Sequence, residues 1–239
     1  MQETNLNQSV GSATEMKQPE HVVKIISIKQ VTHNVKRFRL EKPEGYHFVP
    51  GQATELSINS PAWKNEKRPF SFTCLNEDPF LEFTIKIYND HNGVTNALGS
   101  LNVDDELIIR DVWGAISYQG PGYFIAGGAG ITPFIAILRQ LKTQNLVEGN
   151  KLVFSNRTSA DIILKDELVD ILGSNAIFTT TQERDSPYEH DKIDEAFLKK
   201  HIEDFSKHFY ICGPDKMISD ISSILEKLGA KADAVVFEK

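Results

Sequence analysis

Hydrophobic patterning changes period once along this chain, at Gly120-Pro121-Gly122, and that change constrains the fold more than any other feature. Before it, short runs alternate apolar and polar residues at 22–28, 35–40, 54–58, 70–74, 81–88 and 106–112, with Pro, Gly, Asn and Asp between them. A period of two, repeated at short intervals, is the pattern of an all-β sandwich or barrel. One interruption, residues 93–101, reads as a short helix. After the change, apolar runs at 123–126, 152–155, 176–180, 209–212 and 234–237 alternate with helical stretches at 131–143, 165–172, 193–202 and 217–228. In the first of these helices Ile131, Phe134, Ile135, Leu138 and Leu141 recur at helical spacing. Strand and helix in alternation predict a parallel sheet covered on both faces. The sequence therefore reads as a small β domain followed by an α/β domain. Residues 1–20 are Gln-, Asn-, Ser- and Thr-rich with few large apolar groups, and are expected to form a mobile tail.

Charge and cysteine usage exclude several classes. The net charge of −7, with no basic cluster, argues against a nucleic-acid partner. No apolar run approaches the length of a membrane span, and the N-terminus lacks a basic start followed by an apolar stretch, so a cytoplasmic location is expected. Two cysteines, Cys74 and Cys212, are too few for a four-cysteine iron–sulfur or zinc site. The seven histidines show no ligand-like spacing, and no metal site is expected.

Two stretches carry chemistry. Gly127-Gly128-Ala129-Gly130-Ile131-Thr132-Pro133 follows a buried-type strand and opens a helix. Glycines let a phosphate approach the backbone, and a helix N-terminus offers N–H groups and a positive dipole end. Pro133 suits a first helical turn. Proline stands where a dinucleotide fingerprint has its third glycine, and the next strand ends in Ser155-Asn156-Arg157 without a carboxylate, which weakens an ordinary NAD dehydrogenase reading. The second stretch is Arg68-Pro69-Phe70-Ser71. Arginine suits phosphate, an aromatic ring suits flavin stacking, and a hydroxyl suits a ring nitrogen. Phe70 in a barrel core and Arg68 in a surface ion pair explain the same residues equally well.

Order along the chain adds a resemblance. Pro50-Gly51-Gln52, Arg68-Pro69-Phe70-Ser71, Lys86-Ile87-Tyr88 with Gly93-Val94-Thr95, the loop at 127–133, Cys212-Gly213-Pro214 and the terminal Phe237-Glu238-Lys239 occur in the sequence in which the ferredoxin–NADP reductase family carries similar motifs. From about residue 21 to the end the chain resembles that family. The resemblance implies an antiparallel β-barrel FAD domain at 21–118, followed by an α/β Rossmann-like parallel-sheet NAD(P)H domain at 119–239. It implies FAD as bound cofactor, NADH or NADPH as hydride donor, and a redox protein acceptor such as ferredoxin, flavodoxin or an oxygenase component.

Carried over by motif, Arg68 would bind the FAD pyrophosphate, with Pro69 beside it, and Phe70 would pack on the isoalloxazine. Ser71 would hydrogen-bond near flavin N5, where hydride arrives. The N–H groups of Gly93, Val94 and Thr95 would hold the pyrophosphate. Lys86, Ile87 and Tyr88 belong to the same stretch, Tyr88 being the better ligand candidate. Gly128, Gly130, Thr132 and Pro133 would line the nicotinamide nucleotide path, with Arg157 at the next strand end. Cys212, with Gly213 and Pro214, would sit beside the nicotinamide; a small buried residue is the plainer reading of Cys212. Phe237 fits the second flavin face or the core equally, and Glu238 would lie close by as a catalytic candidate. Arg157 favours a 2′-phosphate, whereas Gln182 and Glu183, after the threonines of the following strand, oppose it; the balance leans to NADH and leaves NADPH open. Two rivals stand beside this reading: a reductase that treats free flavin as substrate, and a non-catalytic electron-transfer subunit of a complex.

Overall fold

The computed structural model describes residues 19–114, 116–190, 192–231 and 235–237, the last three through their backbone alone. Residues 1–18 of the tail expected at 1–20, together with Ala234 and Glu238, lie outside the described residues, while Glu20 at its end pairs with Arg110 at 2.8 Å.

Six strands build the first half: β1 (His21–Thr32), β2 (Val35–Glu41), β3 (Ala53–Ile58), β4 (Arg68–Ser71), β5 (Phe80–Lys86) and β6 (Glu106–Trp113). They form one sheet in the order β4-β3-β6-β1-β2-β5, antiparallel throughout. The period of two does the folding. Phe83 and Leu81 of β5 stand opposite Phe38 and Leu40 of β2, and all four are fully buried in the same core. Each such side chain contributes about 1.5–3 kcal/mol through burial. The sheet curls until its outer strands meet, and the Thr73 N–H just past β4 donates to the Glu82 carbonyl of β5 at 2.8 Å. The short helix α1 (Val94–Leu98) drops Val94 and Leu98 into the barrel core.

The second half is a parallel sheet of β7 (Gly122–Gly127), β8 (Lys151–Asn156), β9 (Ala176–Thr180), β10 (His208–Cys212) and β11 (Val235–Phe237), in the order β11-β10-β7-β8-β9. Helices cover both faces. On one side α2 (Thr132–Thr143) and α3 (Lys165–Leu172) pack over Phe124, Phe154 and Tyr210. On the other, α4 (Glu195–His201) and α5 (Asp215–Lys227) pack over Tyr123, Ile125, Phe209 and Ile211. The expected architecture, a barrel followed by a Rossmann-like sheet, is the one observed. Differences lie at element ends: α5 starts at Asp215 rather than at its first apolar residue, because Pro214 caps it. Likewise α4 starts after Asp194, whose carboxylate accepts the Phe197 N–H at 2.8 Å.

The halves are strapped together by charge and by a hydroxyl. Arg139 of α2 reaches the barrel, where its Nη1 lies 2.7 Å from Glu82 Oε1 and also donates to the Thr73 carbonyl. Its other side meets Glu167 of α3 at 2.5 Å. Glu82 is 1% exposed and also faces Arg39 at 2.9 Å and Arg37 at 3.8 Å. Burial works against charge on Glu82, but these guanidinium groups outweigh it and hold the carboxyl below the usual range. The Tyr210 hydroxyl pins the connection between the sheets, accepting from the Gln119 and Gly120 N–H groups at 2.9 and 3.0 Å and donating to the Gly120 carbonyl at 2.7 Å.

Candidate functional site

From β7 the chain winds outward through β8 and β9 on one side, then returns to β10 and β11 on the other. Loops leaving β7 and β10 therefore part in opposite directions, and a crevice opens at the strand ends between them. Its floor is backbone. A Cβ on Gly130 would lie 2.2 Å from the Cys212 carbonyl oxygen, so only glycine lets the two loops meet. Gly128 has φ +54°, a left-handed conformation suited to glycine, and a Cβ there would meet nothing within 4 Å. The backbone at Gly128 is thus open for close approach.

The barrel forms the opposite wall. At the β10 end a cavity of about 490 Å³ takes Pro69, Phe70, Ser71, Lys86, Tyr88 and Thr95 from the barrel half. Gly127, Ala129, Gly130, Thr132, Cys212, Gly213 and Pro214 line it from the α/β half. It continues toward β8 and β9 as a cleft of about 750 Å³, sharing Lys86, Tyr88, Gly127, Ala129 and Pro214. Ile87, Gly128, Asn156, Arg157, Asp161 and Gln182 line that second part. Ser71 is buried at the end of β4 opposite Ala53, and Cys212 is half-buried at the end of β10. Thr132 Oγ1 donates to the Ala129 carbonyl at 3.0 Å, which tightens the loop entering α2. Lys86 Nζ stands 5.8 Å from the centre of the Tyr88 ring.

Four of the expected residues, Arg68, Gly93, Val94 and Pro133, lie elsewhere. Arg68 is exposed, 3.8 Å from the Glu66 carboxylate, and donates to the Lys67 carbonyl; it does not line either cavity. Gly93 gives its N–H to the His91 carbonyl at 2.9 Å, and Val94 is a core side chain. Only Thr95 of that stretch lines the cavity. Pro133 is buried in the first turn of α2. Phe237 lies on β11 opposite Ile211 by its backbone, and Glu238 is outside the described residues.

The sequence reading passed over Asn156 and Asp161 as binding candidates. Asn156 is 5% exposed and neither amide atom has a hydrogen-bond partner among the described residues. A buried amide of this kind calls for a partner, whether water or ligand. Asp161 stands five residues past the strand end, beyond the position inspected for a carboxylate. It closes a capping box with Thr158, whose N–H and hydroxyl reach Asp161 Oδ2 at 3.0 and 2.7 Å. The Thr158-x-x-Asp161 spacing was the available signal. Glu183 is engaged by the Ser159 N–H and hydroxyl at 2.5 and 3.1 Å, which hold its carboxyl below the usual range. Among the described residues no cluster of His, Cys, Asp or Glu suits a metal, and no helix is long and apolar enough to cross a membrane.

Comparison with known proteins gives this cleft its context. Residues 22–118 match the oxidoreductase FAD-binding domain and residues 124–223 the oxidoreductase NAD-binding domain. The chain belongs to the ferredoxin–NADP reductase family. Membership makes it an FAD-dependent NAD(P)H oxidoreductase, as the motif order implied. It is 24% identical over 233 residues to the reductase component of propane 2-monooxygenase from Rhodococcus jostii, covering 90% of this chain and 62% of that one. NADH-cytochrome b5 reductase 2 from Rattus norvegicus is 25% identical over 253 residues, covering 88% and 91%. The fold matches a ferredoxin NADP+ reductase from Neisseria gonorrhoeae, solved with bound FAD and NADP, at a TM-score of 0.78 and 21% identity, covering 92% of this chain and 98% of that one.

Proposed function

We propose that this family member takes hydride from NADH and delivers electrons to a separate redox protein, with residues 21–118 serving FAD and 119–239 the coenzyme. One observation carries the reading: Phe70 and Ser71 of the barrel and Gly130, Thr132 and Cys212 of the α/β half line a single cavity. FAD, when bound, supplies a carrier that accepts a hydride and releases its electrons singly. The protein's part is placement. Phe70 offers a ring face to the flavin, and Ser71 a hydroxyl at its reacting edge. Lys86 brings positive charge to the cofactor's phosphates, and Tyr88 a hydroxyl and a ring. Gly128 and Gly130 admit the coenzyme to the backbone floor, while Cys212 borders the nicotinamide position. Positioning of this kind, with water kept from the reacting atoms, requires no acid–base group.

A protein acceptor is supported by the relatives, which are named as an oxygenase reductase component and a cytochrome b5 reductase. The two cysteines cannot hold a four-cysteine iron–sulfur cluster within this sequence, which favours an acceptor centre outside these residues. The test is to purify the chain, quantify its flavin, titrate it anaerobically with NADH and with NADPH, and assay reduction of an iron–sulfur protein and a b-type haem protein. About one FAD per chain, bleached by NADH and reoxidised by one of these proteins, is the expected result. A colourless chain that reduces added FMN and FAD alike would establish a free-flavin reductase instead. Bound FAD that both NADH and NADPH leave oxidised would establish a subunit without reductase activity.

A further inference from the structure

We infer that Arg139 is a positioning residue for the hydride step: from α2 it fixes the spacing between the two walls of the cavity, on which the rate of that step depends. The inference rests on the functional reading above and deepens it.

The two walls belong to different halves of the molecule, with Ser71 and Thr84 on the barrel side and Gly130 and Thr132 on the α/β side. Helix α2 starts at Thr132, and Arg139 lies two turns further along it, about 10 Å away. On the barrel side Thr73 follows Ser71 at no more than about 7 Å of chain. Hydride transfer breaks one bond to hydrogen on the coenzyme and makes one on the flavin. The hydrogen travels with both electrons, so the coenzyme is oxidised by two and the flavin reduced by two. A displacement of about 1 Å between the partners in such a step costs about 10²-fold in rate.

The guanidinium joins the walls by short links. Arg139 Nη1 donates to the Thr73 carbonyl and lies 2.7 Å from Glu82 Oε1. Glu82 Oε1 also accepts from the Thr73 hydroxyl at 3.1 Å, and that hydroxyl stands 3.2 Å from Thr84 Oγ1 on the cavity wall. The opposite edge of the guanidinium, Nε and Nη2, meets Glu167 of α3 at 2.5 and 3.0 Å. A planar fork held on both edges cannot swing without breaking one set of bonds, whereas a lysine ammonium is a point charge on a flexible stem. Links between the halves that remain without Arg139 lie outside this cavity. Val31 and Val35 of the barrel pack into the α/β core, and the Tyr210 hydroxyl holds the connection at Gln119 and Gly120. Removing the guanidinium therefore leaves the halves joined and the spacing of the walls unfixed. Glu82 keeps Arg39 at 2.9 Å and Arg37 at 3.8 Å, so no unpaired carboxylate is buried by the change.

The experiment uses the FAD-loaded chain. Stopped-flow follows flavin bleaching by NADH and by NADPH, with and without deuterium at the transferred position, in the native protein, Arg139→Met, Arg139→Lys and Asp194→Ala. Backbone hydrogen exchange at 71–75 and 130–134 is read on the same four proteins. Arg139→Met should lower the limiting rate about 10- to 100-fold, keep a deuterium effect, and leave the half-saturating coenzyme concentration within about 2-fold of native. Exchange at both segments should quicken. Arg139→Lys keeps the cation and loses the fork, and its limiting rate should fall between the two. Asp194→Ala removes the N-cap of α4 on the far face of the sheet, and should lower Tm while rate and exchange stay native. A native limiting rate in either Arg139 variant, or an equal loss of rate in Asp194→Ala, would make Arg139 a strap for stability and overturn this inference alone. A native protein whose bound flavin neither coenzyme bleaches would overturn the functional reading and this inference together.

Discussion

Replacing Glu82 by glutamine should destabilise the folded chain by about 3 kcal/mol. Glu82 is 1% exposed; its Oε1 meets Arg139 at 2.7 Å and Thr73 Oγ1 at 3.1 Å, and its Oε2 meets Arg39 at 2.9 Å. Glutamine keeps the volume and one acceptor, so Thr73 and one guanidinium retain a partner. What disappears is the negative charge among Arg37, Arg39 and Arg139. Breaking a buried pair by removing one partner costs roughly 3–5 kcal/mol, and Glu167, which still holds Arg139, moves this case to the lower end. At about 2–4 °C per kcal/mol for a chain of this size, Tm should fall by about 6–12 °C, read by far-UV circular dichroism. Because Arg139 belongs to α2 and Glu82 to β5, both halves should lose stability. The sign with pH follows from the depressed carboxyl of Glu82. Its contribution is present above the unfolded value of about 4.3 and is lost as pH falls through the folded value. The gap between native protein and variant should be full near pH 7, begin to narrow as pH falls past the unfolded value of about 4.3, and close only below the depressed folded value. A Tm within 2 °C of native at pH 7, on the scale of about 2–4 °C per kcal/mol, or a gap that ignores pH, would refute the reasoning.

Ser71→Ala should retain FAD but slow flavin reduction by NADH about 10²-fold, the effect of losing one positioned donor; stopped-flow measures it, and an unchanged rate would give Ser71 a structural role. Gly130→Ala puts a Cβ where the Cys212 carbonyl oxygen stands, 2.2 Å away, and should cost about 1–3 kcal/mol of stability in urea unfolding along with coenzyme affinity. Native-like unfolding and NADH affinity in that variant would show that the two loops yield more easily than their backbone contact implies.

Strands and helices were legible because the apolar cores follow period, even where polar neighbours such as Glu82 and Thr84 are buried as well. Leu81, Phe83 and Ile85 alternate inward in β5, and Ile135, Leu138 and Leu141 line the buried side of α2. The two glycine loops and Ser71 were legible for a related reason, since each sits where an element ends and the chain must turn. Arg68 was legible only as one of two alternatives: the surface ion pair is the one seen, with Glu66, and no local pattern chose between it and a phosphate. Val94 was read for its N–H, whereas its side chain is a barrel plug. Nothing local foretold Arg139 and Glu82 either, which meet across 57 residues of chain. Each looks like the polar position of an amphipathic element until the other half is in place. Asn156 hides differently, because only the tertiary fold shows its amide to be both buried and unpartnered.

The crevice between β7 and β10 is set by winding, and its floor by backbone: a glycine loop against a carbonyl. Side chains furnish it without creating it. Substitution around the rim is consequently decoupled from the existence of the site, in the way that a keyhole survives recutting of the key. A lineage built on this winding can exchange wall side chains such as Arg157 and Gln182 without losing the crevice itself.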